Sequence, residues 1–363
     1  MVRFLLDKWF VAVPILACIL LLLTWGQALA PLLVVAVAVV LIGAVLSAVH
    51  HAEVIAHRVG EPFGSLILAV AVTVIEVALI LTLMLSGGPE SRSLARDTVF
   101  AAVMITVNGI VGLSLLVGAL RHGLARFNPE GTGAALAVVA TLSTMTLVLP
   151  AFTTAQPGPT FSAAQLGFAA VASLVLYASF VMTQTVRHRD FFLPVTTVPG
   201  APPDQEHATP PSKRSALTSL ILLVAALVAV VGLAKTISPV IEAAVSAAGI
   251  PQSFVGVVIA LLVLLPEGLA ATRAALRDRM QISLNLGYGS AIASIGLTIP
   301  AIAVAMIWLE GPLTLGLEPT QMVLLALTII VGALTVAPGR ATRLQGTIHL
   351  ILFAAFIFLS INP

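Results

Sequence analysis

Apolar runs rich in Leu, Val, Ala and Ile recur from one end of this 363-residue chain to the other. No other feature constrains the fold as tightly. A soluble domain carries roughly 25% charged residues, whereas this chain has 9% charged and 59% hydrophobic residues. The solvent for such a sequence is a bilayer, which an apolar helix of about 20 residues can cross. Hydrocarbon leaves backbone polar groups unsatisfied unless the segment is a helix or part of a closed barrel. The runs are too long and too uniform for the alternating pattern of barrel strands. The fold class is therefore an all-α polytopic membrane protein, with membrane lipid as its first partner. A net charge of +2 and the absence of a basic cluster give no reason to expect nucleic acid. The one cysteine, Cys18, lies in an apolar run and provides neither a disulfide framework nor a thiolate metal cage.

Eleven spans are expected, near 10–27, 31–49, 63–86, 98–120, 133–150, 163–185, 216–235, 252–272, 284–309, 320–337 and 345–362. Turn chemistry separates them at Gly87-Gly88-Pro89, Asn128-Pro129, Pro157-Gly158-Pro159, Gly249 to Pro251, Gly311-Pro312 and Pro338-Gly339. Loop charge orients the bundle. With the N-terminus in the cytoplasm, the outer segments hold only Arg92, Arg96 and Lys235, and the inner ones hold the other 14 of the 17 Lys and Arg. The positive-inside rule selects this orientation, with the C-terminus outside a cell (inner) membrane. Arg3, Lys8 and the small residues Ala28-Leu29-Ala30 also fit a cleavable leader.

The longest polar connection, 186–215, carries Pro194, Pro199, Pro202, Pro203, Pro210 and Pro211 and reads as a cytoplasmic linker. It divides the chain into an N-terminal helix (1–30), a five-helix segment (31–185) and a second five-helix segment (216–363). The two five-helix segments start on opposite sides. They would be inverted repeats about an axis in the membrane plane, an architecture common in secondary transporters.

Most of the 15 acidic residues fall in loops or at helix ends. Glu76 and Glu267 fall in mid-span, each at a similar distance after a helix-opening proline, Pro62 and Pro251. A carboxylate at that depth costs about 2.5–3.5 kcal/mol on insertion scales, and an ionisable residue there points to function. Pro266 removes a backbone donor opposite the Leu262 carbonyl, which could then face a cavity and ligate a cation. Thr73, one turn before Glu76, shares its face. Asn108, Ser290 and Ser294 are further oxygen donors for a cation such as calcium, which prefers 6–8 oxygens. They serve helix packing equally well.

Two stretches resemble the calcium/cation–proton exchangers of the sodium–calcium exchanger superfamily. The first, Ala52 to Ile80, reads AEVIAHRVGEPFGSLILAVAVTVIEVALI and is similar to that family's first repeat motif, with Glu76 at the cation-binding glutamate. The second, from VGVVIALLVLLPEGLAATRAALRDRM to NLGYGSAIASIGLTIP, is similar to the second motif, with Glu267 at the partner glutamate. The resemblance implies one extra N-terminal helix, retained in the protein, plus two inverted five-helix repeats. The family's common pattern has Asn three residues before each glutamate. Thr73 and Leu264 stand there, Gly268 replaces a frequent His and Ala293 a frequent Gln. The central acidic run is reduced to Asp190, Asp204 and Glu206. These features resemble the bacterial calcium/sodium–proton antiporter branch.

The expected function is secondary antiport of calcium against protons through the paired glutamates, with sodium or potassium–proton antiport as the alternative. Two bare carboxylates sharing a dry site repel, so either a divalent cation or protons must neutralise them before the site changes sides. No resident cofactor is implied, because the cations are cargo. No Walker A, HExxH or GxSxG motif occurs, and an ion gradient is the expected energy source. A membrane-embedded hydrolase using the two carboxylates as acid and base remains a rival, as does a passive channel. His50, His51, Glu53 and His57 lie before the third span, where they read as a wetted helix end or as a pH sensor. Arg273, Arg277 and Arg279 would anchor the eighth span to the cytoplasmic leaflet.

Overall fold

The computed structural model describes residues 2–27, 29–60, 63–86, 92–195, 211–308 and 313–363. Gly87-Gly88-Pro89, Gly311-Pro312, Pro62 and Ala28 lie outside these, as do Pro199, Pro202, Pro203, Pro210, Asp204 and Glu206. The helices are α1 (Val2–Thr24), α2 (Pro31–Val59), α3 (Phe63–Ser86), α4 (Leu94–Met104), α5 (Val111–His122), α6 (Pro129–Ser143), α7 (Ala163–Met182), α8 (Lys213–Ala247), α9 (Phe254–Leu276), α10 (Met280–Ala305), α11 (Pro319–Val336) and α12 (Arg343–Ile361). A π-helical turn, Ile105–Ile110, joins α4 to α5 into one span. Among the described residues ten helical segments are long and apolar enough to cross a bilayer, and Trp9–Thr24 of α1 adds a shorter one. The chain is a multi-pass membrane protein, and the span order matches the sequence reading.

Several helix boundaries follow from local chemistry. Asn128 caps α6 by accepting from the Glu130 amide at 2.8 Å, and Pro129 occupies the first turn, where no amide donor is needed. Ser162 and Gln165 form a capping box at the start of α7, as Thr342 and Gln345 do at α12. Gly339 takes a φ of +66° after α11, a conformation that L side chains rarely adopt. Two two-residue strands, β1 (Ala125–Arg126) and β2 (Arg340–Ala341), pair antiparallel and tie the loops after α5 and α11.

The chain forms two compact units, one from Met1–Leu94 with Thr209–Val263, the other from Ala95–Ala208 with Leu264–Pro363. Each unit draws on both sides of the proline-rich linker. The expected repeats, 31–185 and 216–363, are a different kind of division, concerned with symmetry rather than packing. Helix α9 begins in the first unit and ends in the second.

In the first unit the core lies along α2 and α8. Val37, Leu41, Ala44, Val45 and Ala48 form one buried stripe, facing a second that includes Ala226, Ala229, Val230 and Leu233. Small residues on both helices let the backbones approach. Helix α1 docks through a proline. Pro14 cannot donate to the Phe10 carbonyl four residues earlier. Ser47 donates to that carbonyl instead at 2.6 Å, and His51 Nε2 does so at 3.0 Å. A neutral His51 then accepts from Ser219 through Nδ1 at 3.2 Å.

Two sequence expectations need correction here. Helix α2 continues to Val59 instead of stopping near 49. His51 is therefore not at a wetted end, since it is 3% exposed and bonded to α1 and α8. His50 stacks on Phe10, and of this cluster only His57 is exposed.

The second unit is built around α10, which packs on α5, α6 and α7 and buries residues on every face. Helix α12 presses on α5 where two glycines meet. A Cβ on Gly346 would stand 2.5 Å from the Leu116 amide nitrogen. Asp97 lies in the first turn of α4 and is nevertheless buried. It is 4% exposed and paired with Arg96 Nε at 2.8 Å. Arg96 also donates to the Gly316 carbonyl at 3.3 Å and to Glu318 at 3.4 Å.

Candidate functional site

Glu76 is the fourteenth of the 24 residues of α3, and Glu267 the fourteenth of the 23 residues of α9. At 1.5 Å per residue each lies roughly 20 Å from the start of its helix. The equal placement arises from sequence, as Pro62 and Pro251 each precede one of these helices in the chain and both helices run uninterrupted past the carboxylate. Glu76 is 4% exposed, and Thr73, one turn earlier on the same helix, is 6% exposed. Both belong to the first unit, together with Leu262, which packs partly buried against its core. Helix α9 continues through Pro266, so the Leu262 carbonyl is the one that this proline cannot bond.

Glu267 belongs to the second unit and is half-buried. The residue after it, Gly268, leaves the π-helical turn close by, since a Cβ there would meet Ile110 at 3.6 Å. Ser290 is half-buried and Ser294 is 4% exposed, one turn apart on α10. Asn108 lies in the π-helical turn with no exposed surface. Its amide donates to Thr328 Oγ1 at 2.8 Å, and its oxygen accepts from His349 Nδ1 at 2.9 Å.

The second unit thus contains Glu267, Ser290, Ser294 and Asn108, and the first contains Glu76, Thr73 and Leu262. The sequence reading missed His349, Thr328 and Thr335, which form a buried polar cluster with Asn108. A histidine within the last apolar span, two turns from its start, was the available signal. Among the described residues no three His, Cys, Asp or Glu side chains gather into a metal-binding group. The oxygens on hand for a hard cation are single carboxylates, hydroxyls and a proline-freed carbonyl, a set suited to ions that bind oxygen.

Ten apolar helical segments among the described residues, long enough to cross a bilayer and with carboxylates at mid-helix in α3 and α9, have the architecture of a membrane transporter. The family model described as sodium/calcium exchanger protein matches residues 29–186 and 218–362. This chain belongs to that family. It is 47% identical over 358 residues to a chain of Sinorhizobium fredii named ionic transporter y4hA, covering 98% of this chain and 96% of that one. It is 35% identical over 348 residues to the sodium-potassium/proton antiporter ChaA of Escherichia coli, covering 95% and 93%. The fold matches that of native YfkE, with a TM-score of 0.72 at 16% identity over 98% of this chain and 99% of that one. It also matches the H+/Ca2+ exchanger CAX, with a TM-score of 0.69 at 15% identity over 99% and 93%.

Proposed function

We propose that this protein is a secondary antiporter that exchanges a cation, calcium in the first instance, for protons, with Glu76 and Glu267 as the carboxylates that hold them in turn. The observation that carries the reading is the identical placement of two glutamates at the fourteenth position of two long apolar helices. Each falls within a segment covered by the family match. An uncompensated carboxylate at such depth is costly. A cation or a proton removes the cost, and neither can leave until the other replaces it. That exclusivity makes exchange obligatory and excludes leak. Thr73, Ser290, Ser294 and the Leu262 carbonyl supply further oxygens. Asn108, whose amide is committed to Thr328 and His349, supports the binding region from behind.

The protein sits in the cell membrane in this reading, with its N-terminus and the proline-rich linker in the cytoplasm. The five-helix segments on either side of the linker act as inverted repeats. It does no covalent chemistry, and its ions are cargo.

Sodium or potassium as the exchanged cation is the second reading. Two observations favour it. The Escherichia coli relative is named for those ions. Leu264 also stands where the family pattern has an asparagine, which removes one oxygen for a divalent ion, and Thr73 puts a hydroxyl in place of the other amide. Isotope counterflow in liposomes with calcium, sodium and potassium, at matched pH gradients, separates the two. Calcium counterflow inhibited by protons supports the first reading. Counterflow of sodium or potassium without calcium supports the second. Exchange of none of the three contradicts both.

A further inference from the structure

His349 is the seventh of the 19 residues of α12 and has no exposed surface. Its Nδ1 lies 2.9 Å from Asn108 Oδ1 and its Nε2 lies 3.2 Å from Thr335 Oγ1. The amide oxygen can only accept, so Nδ1 carries the hydrogen, and a neutral Nε2 accepts from Thr335. Asn108 Nδ2 donates to Thr328 Oγ1, which donates onward to the Leu324 carbonyl at 2.8 Å. Both polar atoms of the Asn108 side chain are thereby fastened to α11 and α12. Helices α5 and α12 pack closely at this point, because a Cβ on Gly112 would stand 2.8 Å from the His349 Cβ.

Asn108 sits in the π-helical turn 105–110, and such turns are rare and concentrate at functional sites. The opposite flank of this turn meets α9 and α10. Gly268 lies against Ile110, one residue from Glu267, and a Cβ on Gly287 would meet the Thr106 carbonyl at 3.6 Å and Ile110 at 3.7 Å. The turn is held by polar bonds on one side and backs the Glu267 segment on the other. We propose that His349 is a positioning residue for cation binding, which acts through Asn108 to fix the π-helical turn against the Glu267 segment. The proposal rests on the reading of Glu267 as a cation-binding carboxylate. Without a donor at the Nδ1 position, Asn108 Oδ1 is left buried and unbonded. The turn then loses one of the two side-chain bonds that tie it to α11 and α12.

The test compares His349→Asn, His349→Gln and His349→Leu in full-length protein, reconstituted in liposomes and driven by a pH gradient, with calcium, sodium and potassium each as the ion. Asn places an amide donor where Nδ1 stands, Gln places its amide where Nε2 stands, and Leu provides neither. For the preferred ion, the Gln and Leu variants should raise KM about 10-fold with kcat nearly unchanged, the scale seen when outer-shell partners of bound cations are lost. The Asn variant should restore the parent KM. Equal KM values for the Asn and Gln variants, or a parent KM in the Gln and Leu variants, overturn the proposal. If the Leu variant fails to fold by gel filtration, the Asn and Gln pair decides. Glu267→Gln is measured in parallel. Exchange surviving there removes the underlying reading, whereas exchange lost there with His349→Gln at the parent KM removes only the positioning role.

Discussion

Single residues in this protein show which polar groups an apolar span tolerates and on what terms. Asp97 is tolerated because Arg96 neutralises it within 2.8 Å and because it occupies the first turn of α4, where the helix dipole favours a negative charge. Replacing Asp97 takes the nearest negative charge from the buried Arg96 and leaves it Glu318, which is largely exposed, so the cost falls below the roughly 3–5 kcal/mol of a wholly uncompensated buried charge. Asp97→Asn should lower the thermal unfolding temperature of the detergent-solubilised protein by several degrees. The double change Asp97→Asn with Arg96→Met should recover much of that loss. Glu76 and Glu267 stood out in the sequence as candidate functional groups because mid-span carboxylates are rare. His349 was overlooked although it too is buried, because a neutral imidazole is less costly to bury and its partners come from two other elements, the π-helical turn and α11. Asp97 was overlooked because proximity to a helix end on paper suggests water, and only packing reveals its 4% exposure.

At the scale of elements, two devices set the geometry. The first is the proline in α1, whose freed carbonyl is taken up by Ser47 and His51. Pro14→Ala restores the intrahelical donor and makes those side chains partly redundant. A double-mutant cycle between Pro14→Ala and Ser47→Ala, read by thermal or denaturant unfolding, should give a coupling near the net worth of one buried hydrogen bond, about 1 kcal/mol. Additive effects would show that the carbonyl does not link the helices. The second device is the glycine contact between α5 and α12. Gly346→Val must push α12 off the α5 backbone, at a cost of about 1–3 kcal/mol. It should also reduce cation affinity by way of His349 and Asn108. The existence of the helices and their turns was readable from apolar length and from Asn128-Pro129 or Pro338-Gly339. The 10-residue extension of α2 to Val59 was not. His50, His51 and Glu53 look like an ending, but tertiary partners on α1 and α8 outweigh that local signal.

For the whole molecule, the number and order of the spans followed from the alternation of apolar runs and basic loops, and the family from two short motifs. Which helices form which compact unit did not follow. The units draw on segments far apart in sequence, and no local signal encodes that choice. If exchange is obligatory, protons and the cation compete. Lowering the pH on the cation-loading side should raise the apparent KM for the cation while leaving the maximal rate at saturating cation nearly unchanged. A maximal rate that falls with an unchanged KM would argue for separate sites. The most direct test of the account measures cation uptake and proton release together in liposomes with an imposed pH gradient, comparing the parent protein with Glu76→Gln and Glu267→Gln. The account predicts that the parent exchanges the two ions in a fixed ratio and that each variant, folded and correctly inserted, loses both fluxes. Coupled exchange persisting in either variant would contradict it.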